Sequence, residues 1–323
     1  MIGLMYSLAA AAVVNAAAPA APASPPQLTR TAQETAAHQA DASARTASPQ
    51  TIPPSGTTQL TRPHRVNTTP TLTDPYPGVA FAYALAIDDE LLWGHNINAP
   101  HAPASLVKLL AALTLLDSDW NPDTLVPISE HASRATRPRV GLRAGDKVRA
   151  EDALTAMLVQ SANDACLALV ERAGPGLEAF AAKMNARAVT LGMRNTRVAH
   201  PCGFDAEGQH STVKDLMLLA RAAHADPRVS NVVGRQTGAL RTAAGMQLTY
   251  NSTNQLLGRL DGVVGMKTGY TAEAGDCVVA LAEQAGHLVW LVLLDSRQRW
   301  FAAHRILSDG LTLAARRDAS PHD

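Results

Sequence analysis

Charge of one sign is what this sequence lacks first. Its 28 basic and 28 acidic side chains cancel, so no strongly basic domain is available for the phosphate contacts that nucleic-acid binding requires. No run of about 18 or more strongly apolar residues occurs, which excludes a chain that crosses a membrane repeatedly. Cysteine is sparse: Cys166, Cys202 and Cys277 are too few and too scattered for a disulfide framework or a zinc cluster. An odd count leaves at least one thiol unpaired within the chain. All three are expected as small buried apolar residues, with Cys202–Cys277 as the one bridge considered. The 11 histidines form no zincin-type pattern, so no metal or other cofactor is expected. Lysine is the scarcest charged residue, with only five, at 108, 147, 183, 214 and 267.

What is present is unevenly spread. Eleven of the 20 prolines lie in the first 77 residues, whereas eleven of the 13 aromatics follow Tyr76. Ile2 to Val14 is a short apolar stretch before Ala16, Ala17 and Ala18, which resembles the core and cleavage site of a secretory signal. No Lys or Arg precedes Arg30, so the positive end of such a signal rests on the terminal amine. Residues 1–18 are therefore read as a signal peptide. Residues 19–76, rich in Pro, Ala, Thr and Ser, are read as a disordered linker that cannot bury enough surface to offset its chain entropy. Residues 77–317 are read as one folded domain and 318–323 as a tail.

Within that domain the period changes twice. Gly78 to Ile87 and Glu90 to Gly94 read as strands. A long apolar helix follows, opened by Pro103, and residues 121–149 read as loop and short strands. Glu151 to Gln160, Ala162 to Ala173 and Leu177 to Leu191 are helical. Ser211 is placed as the cap of a helix that stops before Asp226-Pro227. Thr237 to Thr242 and Met246 to Tyr250 form a hairpin. Val263 to Thr268, Cys277 to Glu283 and Leu288 to Asp295 are further strands, and Arg297 to Ala314 is the last helix. The fold class is therefore α+β: an antiparallel sheet whose first and last strands pair, packed by helices and carrying an all-helical insert.

Three short segments carry chemistry. Ser105 and Lys108 lie three apart on a helix and share a face. Every residue from Leu106 to Leu116 except Lys108 and Thr114 is apolar, so a lysine there is costly unless it is partnered or neutral. Taken alone, Ser105 reads as a helix cap and Lys108 as a side chain reaching for solvent. The alternative is a serine nucleophile beside a lysine of lowered pKa. Ser161-Ala162-Asn163 stands at the break between two helices, where either polar residue could start the second. Lys267-Thr268-Gly269 ends an apolar strand.

Together, Ser-x-x-Lys, Ser-x-Asn and Lys-Thr-Gly occur in the order and on the elements found in penicillin-binding proteins and class A β-lactamases. Two of the five lysines occupy the two lysine positions. With the flanking segments HAPASLVKLLAAL, LVQSANDACLALVE, LGMRNTRVAHPCGFDAEGQHSTVKDLMLLARA and GVVGMKTGYTAEAGDCVVALA, residues 77–317 resemble the D-alanyl-D-alanine carboxypeptidase family of low-molecular-mass penicillin-binding proteins. The resemblance implies that Ser105 attacks the carbonyl between the terminal D-alanines of a peptidoglycan stem peptide. Lys108 accepts its proton, directly or through Ser161. Backbone N–H groups of Ser105 and Tyr270 form the oxyanion hole. Asn163 binds a substrate amide, while Lys267, Thr268 and Gly269 lie along the terminal carboxylate and the extended peptide. β-Lactam antibiotics would be trapped at the same serine.

Some features depart from relatives of that resemblance. The middle motif is Ser-Ala-Asn rather than Ser-Asp-Asn, and no Glu-x-x-Leu-Asn element lies between Ser161 and Lys267. Both disfavour β-lactamase as the main role. The segment AARRDASPHD is not amphipathic, so no carboxy-terminal membrane anchor is expected. An exported enzyme, periplasmic or otherwise extracytoplasmic, is the reading. Its alternatives are a D,D-endopeptidase with the same site and a catalytically silent peptidoglycan-binding relative. His200 and His210 are taken as solvated loop residues, and Trp290 and Trp300 as packing residues.

Overall fold

The structure is a computed structural model and describes residues 72–319. The segments read from sequence as signal peptide, most of the linker and the end of the tail lie outside the described residues. Strand β1 (Ala82–Ile87) and β2 (Glu90–His95) form the first hairpin. A 3-10 turn (Ala104–Val107) runs into helix α1 (Lys108–Leu116). Short pieces follow: β3 (Leu125–Pro127), α2 (Glu130–Ser133) and β4 (Lys147–Arg149). Helices α3 (Ala150–Val159), α4 (Asn163–Ala173), α5 (Leu177–Thr190), α6 (Val213–Ala225) and α7 (Pro227–Val233) complete the helical insert. The hairpin β5 (Thr237–Arg241) and β6 (Gln247–Asn251) precedes β7 (Val263–Thr271), β8 (Gly275–Gln284), β9 (His287–Leu294) and α8 (Arg299–Ala319).

The main sheet is antiparallel, in the order β2-β1-β9-β8-β7, so the first and last strands pair as expected, with Ala82 opposite Leu294 and Ile87 opposite Val289. Strand β1 shows why this sheet is buried on both sides. Its small residues Ala82, Ala84 and Ala86 face the helical insert, and Tyr83, Leu85 and Ile87 face α8. The two-residue period sends alternate side chains to opposite cores. On the α8 side, Ile306, Leu307, Leu311 and Ala314 pack over Leu85, Ile87, Val289 and Leu291. On the other side, α1 lies within the insert, with Leu109, Leu110, Ala111 and Ala112 all inaccessible to solvent. Strand β7 is an edge of the sheet.

Several local expectations change. Folded structure begins before residue 77: Thr73 bridges Trp93, Asp74 accepts a hydrogen bond from the Tyr83 hydroxyl at 2.6 Å, and Tyr76 is buried. Asp226-Pro227 ends α6 but also starts α7, because the Asp226 carboxylate accepts the Arg228 N–H at 2.9 Å and proline is pre-shaped for a first helical turn. Thr212, not Ser211, caps α6 by accepting the Asp215 N–H at 3.1 Å. Ser211 is instead paired across a β-bridge with His101. Ser129 caps the unanticipated short helix α2.

All three cysteines are buried and one thiol stays unpaired, as expected, but the pairing is corrected. Cys166 is bonded to Cys202 with a Cα–Cα distance of 6.0 Å. The chain between them, a sequence separation of 36, folds α5 back so that the loop carrying Cys202 lies on α4. Cys277 is the free thiol; it lies in β8, away from that contact, and burial pushes its pKa up to about 12.

Candidate active site

The 3-10 turn decides the geometry around Ser105. Ala104, the residue before it, has φ of 48°, a left-handed conformation that side chains other than glycine adopt at a cost. The Ser105 hydroxyl caps nothing, since no side-chain cap bond is present at this turn. It accepts a hydrogen bond instead from Lys108 Nζ at 2.8 Å. Lys108 opens α1 and does not reach solvent: it is completely buried. Burial lowers its pKa to about 7, with the Asp164 carboxylate pulling in the opposite direction. The amine is therefore divided between its two protonation states near neutrality, which suits a proton acceptor.

Ser161 and Asn163 approach from the α3–α4 junction. Ser161 takes φ of 61°, which breaks the helical path between α3 and α4. Its buried Oγ has no hydrogen-bond partner among the described residues. Asn163 is the first residue of α4. Its Oδ1 accepts from Lys108 Nζ at 2.7 Å, and its Nδ2 donates to Thr136 O at 2.9 Å. Both polar atoms are thus already engaged, and a substrate amide would have to use the remaining Oδ1 lone pair or the second Nδ2 hydrogen. The next residue, Asp164, is buried and accepts the N–H groups of Val140, Gly141 and Leu142 at 3.2, 2.8 and 3.0 Å. It anchors the loop that supplies Thr136 O and biases Lys108 electrostatically.

Strand β7 brings the third motif. Lys267 is buried, and its Nζ donates to Thr268 O at 2.9 Å. Burial holds its pKa far below the usual lysine value, and the neighbouring cations Lys108 and Arg299 push it further down. Thr268 Oγ1 shares a hydrogen bond of 2.5 Å with Thr253 Oγ1. Gly269 is required by close approach: a Cβ there would lie 2.9 Å from Ala104 Cβ and 3.2 Å from Ser105 N. The strand therefore runs close against the Ser105 N–H. The Tyr270 side chain is 68% exposed, so any role it has there belongs to its backbone.

The contacts bring Ser105, Lys108, Asn163 and Gly269 together, with Lys267 in electrostatic reach of Lys108, while Ser161, Thr268 and Tyr270 adjoin them along the chain. Several participants were not foreseen. Arg299 donates to Gly269 O at 2.7 Å and Cys277 O at 3.0 Å and pairs with Asp276 at 3.1 Å, so a third cation stands beside Lys267. Its only sequence signal was a basic residue at the start of the last helix. His200 is not a solvated loop residue. It stacks on Phe204 with ring centroids 4.3 Å apart, and burial together with Lys108 lowers its pKa to about 4. Trp290 is buried in the core as expected.

Residues 80–298 match the family model described as D-alanyl-D-alanine carboxypeptidase. The D-alanyl-D-alanine carboxypeptidase DacB2 of Mycobacterium tuberculosis is 34% identical over 208 residues, covering 64% of this chain and 70% of that protein. A D-alanyl-D-alanine endopeptidase of Pseudomonas aeruginosa is 32% identical over 211 residues, covering 64% and 67%. The crystal structure of the Streptomyces K15 DD-transpeptidase superposes with a TM-score of 0.69 at 27% identity, over 75% of this chain and all of that one. The chain spans from 51% to 83% of the length of such curated relatives.

Proposed function

The chain belongs to the D-alanyl-D-alanine carboxypeptidase family, and from that premise we propose that its site removes the terminal D-alanine from peptidoglycan stem peptides. The observation that carries this reading is Lys108: fully buried, 2.8 Å from the Ser105 hydroxyl and poised near neutrality. Neutral Lys108 takes the Ser105 proton as Oγ attacks the carbonyl carbon between the two D-alanines. The oxyanion is held by the N–H groups of Ser105 and Tyr270. Collapse expels D-alanine, whose amine takes a proton from Lys108 or through the unpartnered Ser161 hydroxyl. Water then hydrolyses the ester and returns the serine.

Asn163 holds Lys108 in line with Ser105. The terminal carboxylate is received by Lys267, with Thr268 and Arg299 beside it, and the peptide extends along the edge of β7. Binding an anion there supplies a counter-charge to buried Lys267, whose Nζ otherwise donates to the Thr268 carbonyl. Penicillins mimic the scissile peptide and acylate Ser105 by the same route. The Cys166–Cys202 disulfide supports an exported, extracytoplasmic enzyme, since such bonds persist in oxidising compartments.

Labelling with a fluorescent penicillin tests the nucleophile: wild type becomes covalently labelled and Ser105→Ala does not. Equal labelling of the two would overturn the assignment. Purified muropeptides then separate two activities of one site. D-Alanine released from monomers supports the carboxypeptidase, and monomers released from cross-linked dimers support the endopeptidase.

A further inference from the structure

A closed circuit of contacts runs through the nucleophile. Asn163 holds Lys108 Nζ at 2.7 Å, and Lys108 holds Ser105 Oγ at 2.8 Å. One turn along α4 from Asn163, Cys166 crosses by its disulfide to Cys202. The next residue, Gly203, returns to the start: a Cβ built on it would lie 2.2 Å from Ala104 O and 2.9 Å from Ser105 N. Its φ of 81° and this close approach both require glycine. Ala104 is thus clamped between Gly203 on one side and Gly269 on the other, where a Cβ would meet Ala104 Cβ at 2.9 Å. A left-handed alanine persists only when its surroundings leave it no alternative.

We propose that the Cys166–Cys202 disulfide is a positioning element for Ser105, pressing Gly203 onto Ala104 so that the reactive arrangement is held only in the oxidised chain. The inference rests on Ser105 being the nucleophile, as argued above. The loop's flanks have their own anchors. Gln209 Oε1 accepts the N–H groups of Ala199 and His200 at 3.2 and 2.9 Å, and Gln209 Nε2 donates to Phe204 O at 2.7 Å. Loss of the bridge therefore leaves the tip on two backbone hydrogen bonds to His200, from Cys202 N–H to Nδ1 at 3.2 Å and from Gly203 N–H to the carbonyl at 3.0 Å, while the loop stays attached. Ala104 then relaxes toward an ordinary φ and turns Ser105 away from Lys108.

A small dithiol opens the bridge by two exchanges. Its first thiolate attacks one cysteine sulfur, its second displaces the other sulfur of the mixed disulfide, and the reagent leaves as a cyclic disulfide. Cys166 and Cys202 end as thiols. The test compares penicillin acylation of the oxidised, reduced and reoxidised full chain with a Cys166→Ala/Cys202→Ala variant. Thiol titration follows the bridge, and circular dichroism follows the fold. The expected result is a folded reduced protein whose maximal acylation rate falls roughly 10- to 100-fold, the scale of a small misplacement of reacting atoms. Its penicillin binding constant is little changed, reoxidation restores the rate, and the double variant is as slow as the reduced protein and indifferent to dithiol. Equal maximal rates with and without the bridge would overturn the proposal. So would unfolding of both bridge-free forms, which would make the disulfide a stabiliser alone. Failure of oxidised wild type to label would instead sink the nucleophile assignment.

Discussion

Two lysines, both fully buried, stand on opposite walls of the site, and their surroundings divide the work between them. Lys108, on the helical wall, has two side-chain partners and the Asp164 carboxylate nearby, so burial lowers its pKa only to about 7. Lys267, on the strand wall, donates to one backbone carbonyl and has Lys108 and Arg299 as electrostatic neighbours, and its pKa lies far lower. Desolvation alone would treat the two alike. The neighbouring charges separate the two, and in the proposed mechanism one is the base that titrates near neutrality and the other the group that gains its charge when an anion arrives.

The contrast breaks most visibly at the helical wall. Ser105→Ala and Lys108→Ala should each reduce penicillin acylation at pH 7 by about 1,000-fold or more, measured by single-turnover labelling. On the strand wall, Lys267→Ala should weaken substrate capture by about 100-fold, read as a raised KM, and lower the maximal rate much less. An equal loss of maximal rate in the Lys108 and Lys267 variants would erase the distinction.

Acidity sharpens it. Acylation needs neutral Lys108, so its rate should rise about tenfold per pH unit below the pKa and level off above about 7. The same group affects stability. Between about pH 7 and 10.5 the unfolded lysine carries a proton that the folded one has lost, so stability rises with pH across that window. Below it the full penalty applies, and Lys108→Met should raise thermal stability by a few kcal/mol at pH 6, to order of magnitude, while abolishing acylation. A less stable Lys108→Met would contradict the depressed pKa.

Asp164→Asn removes the negative charge that supports protonated Lys108. The midpoint of the acylation profile should therefore move to lower pH, and losing carboxylate acceptors for the 140–142 loop should cost about 1–3 kcal/mol in denaturant unfolding. The smallest effect belongs to Tyr270→Ala. Its side chain is exposed and its N–H survives the change, so acylation should stay within about twofold of wild type. A large loss there would show that the ring itself engages substrate.

Much of the fold was legible because its signals are local. Alternation in β1, the apolar run of α1 and the Gly-containing turns between the last strands each depend on residues a few positions apart. The misread boundaries share one cause. Asp226-Pro227 and Ser211-Thr212 carry residues able both to stop and to start a helix, and only the hydrogen bonds formed in three dimensions choose between those uses. Cys166–Cys202 was invisible because pairing depends on how the intervening chain folds back, which spacing does not encode.

By itself the sequence determined the motif residues, their order and the elements that carry them, because a helix puts Ser105 and Lys108 on one face whatever surrounds it. Tertiary structure decided what those residues are chemically. Only packing could bury both lysines, place Asp164 beside one and Arg299 beside the other, and clamp Ala104 between Gly203 and Gly269. A pKa or a nucleophile's orientation is set by dielectric and by neighbours distant in sequence, and these exist only once the chain has closed on itself.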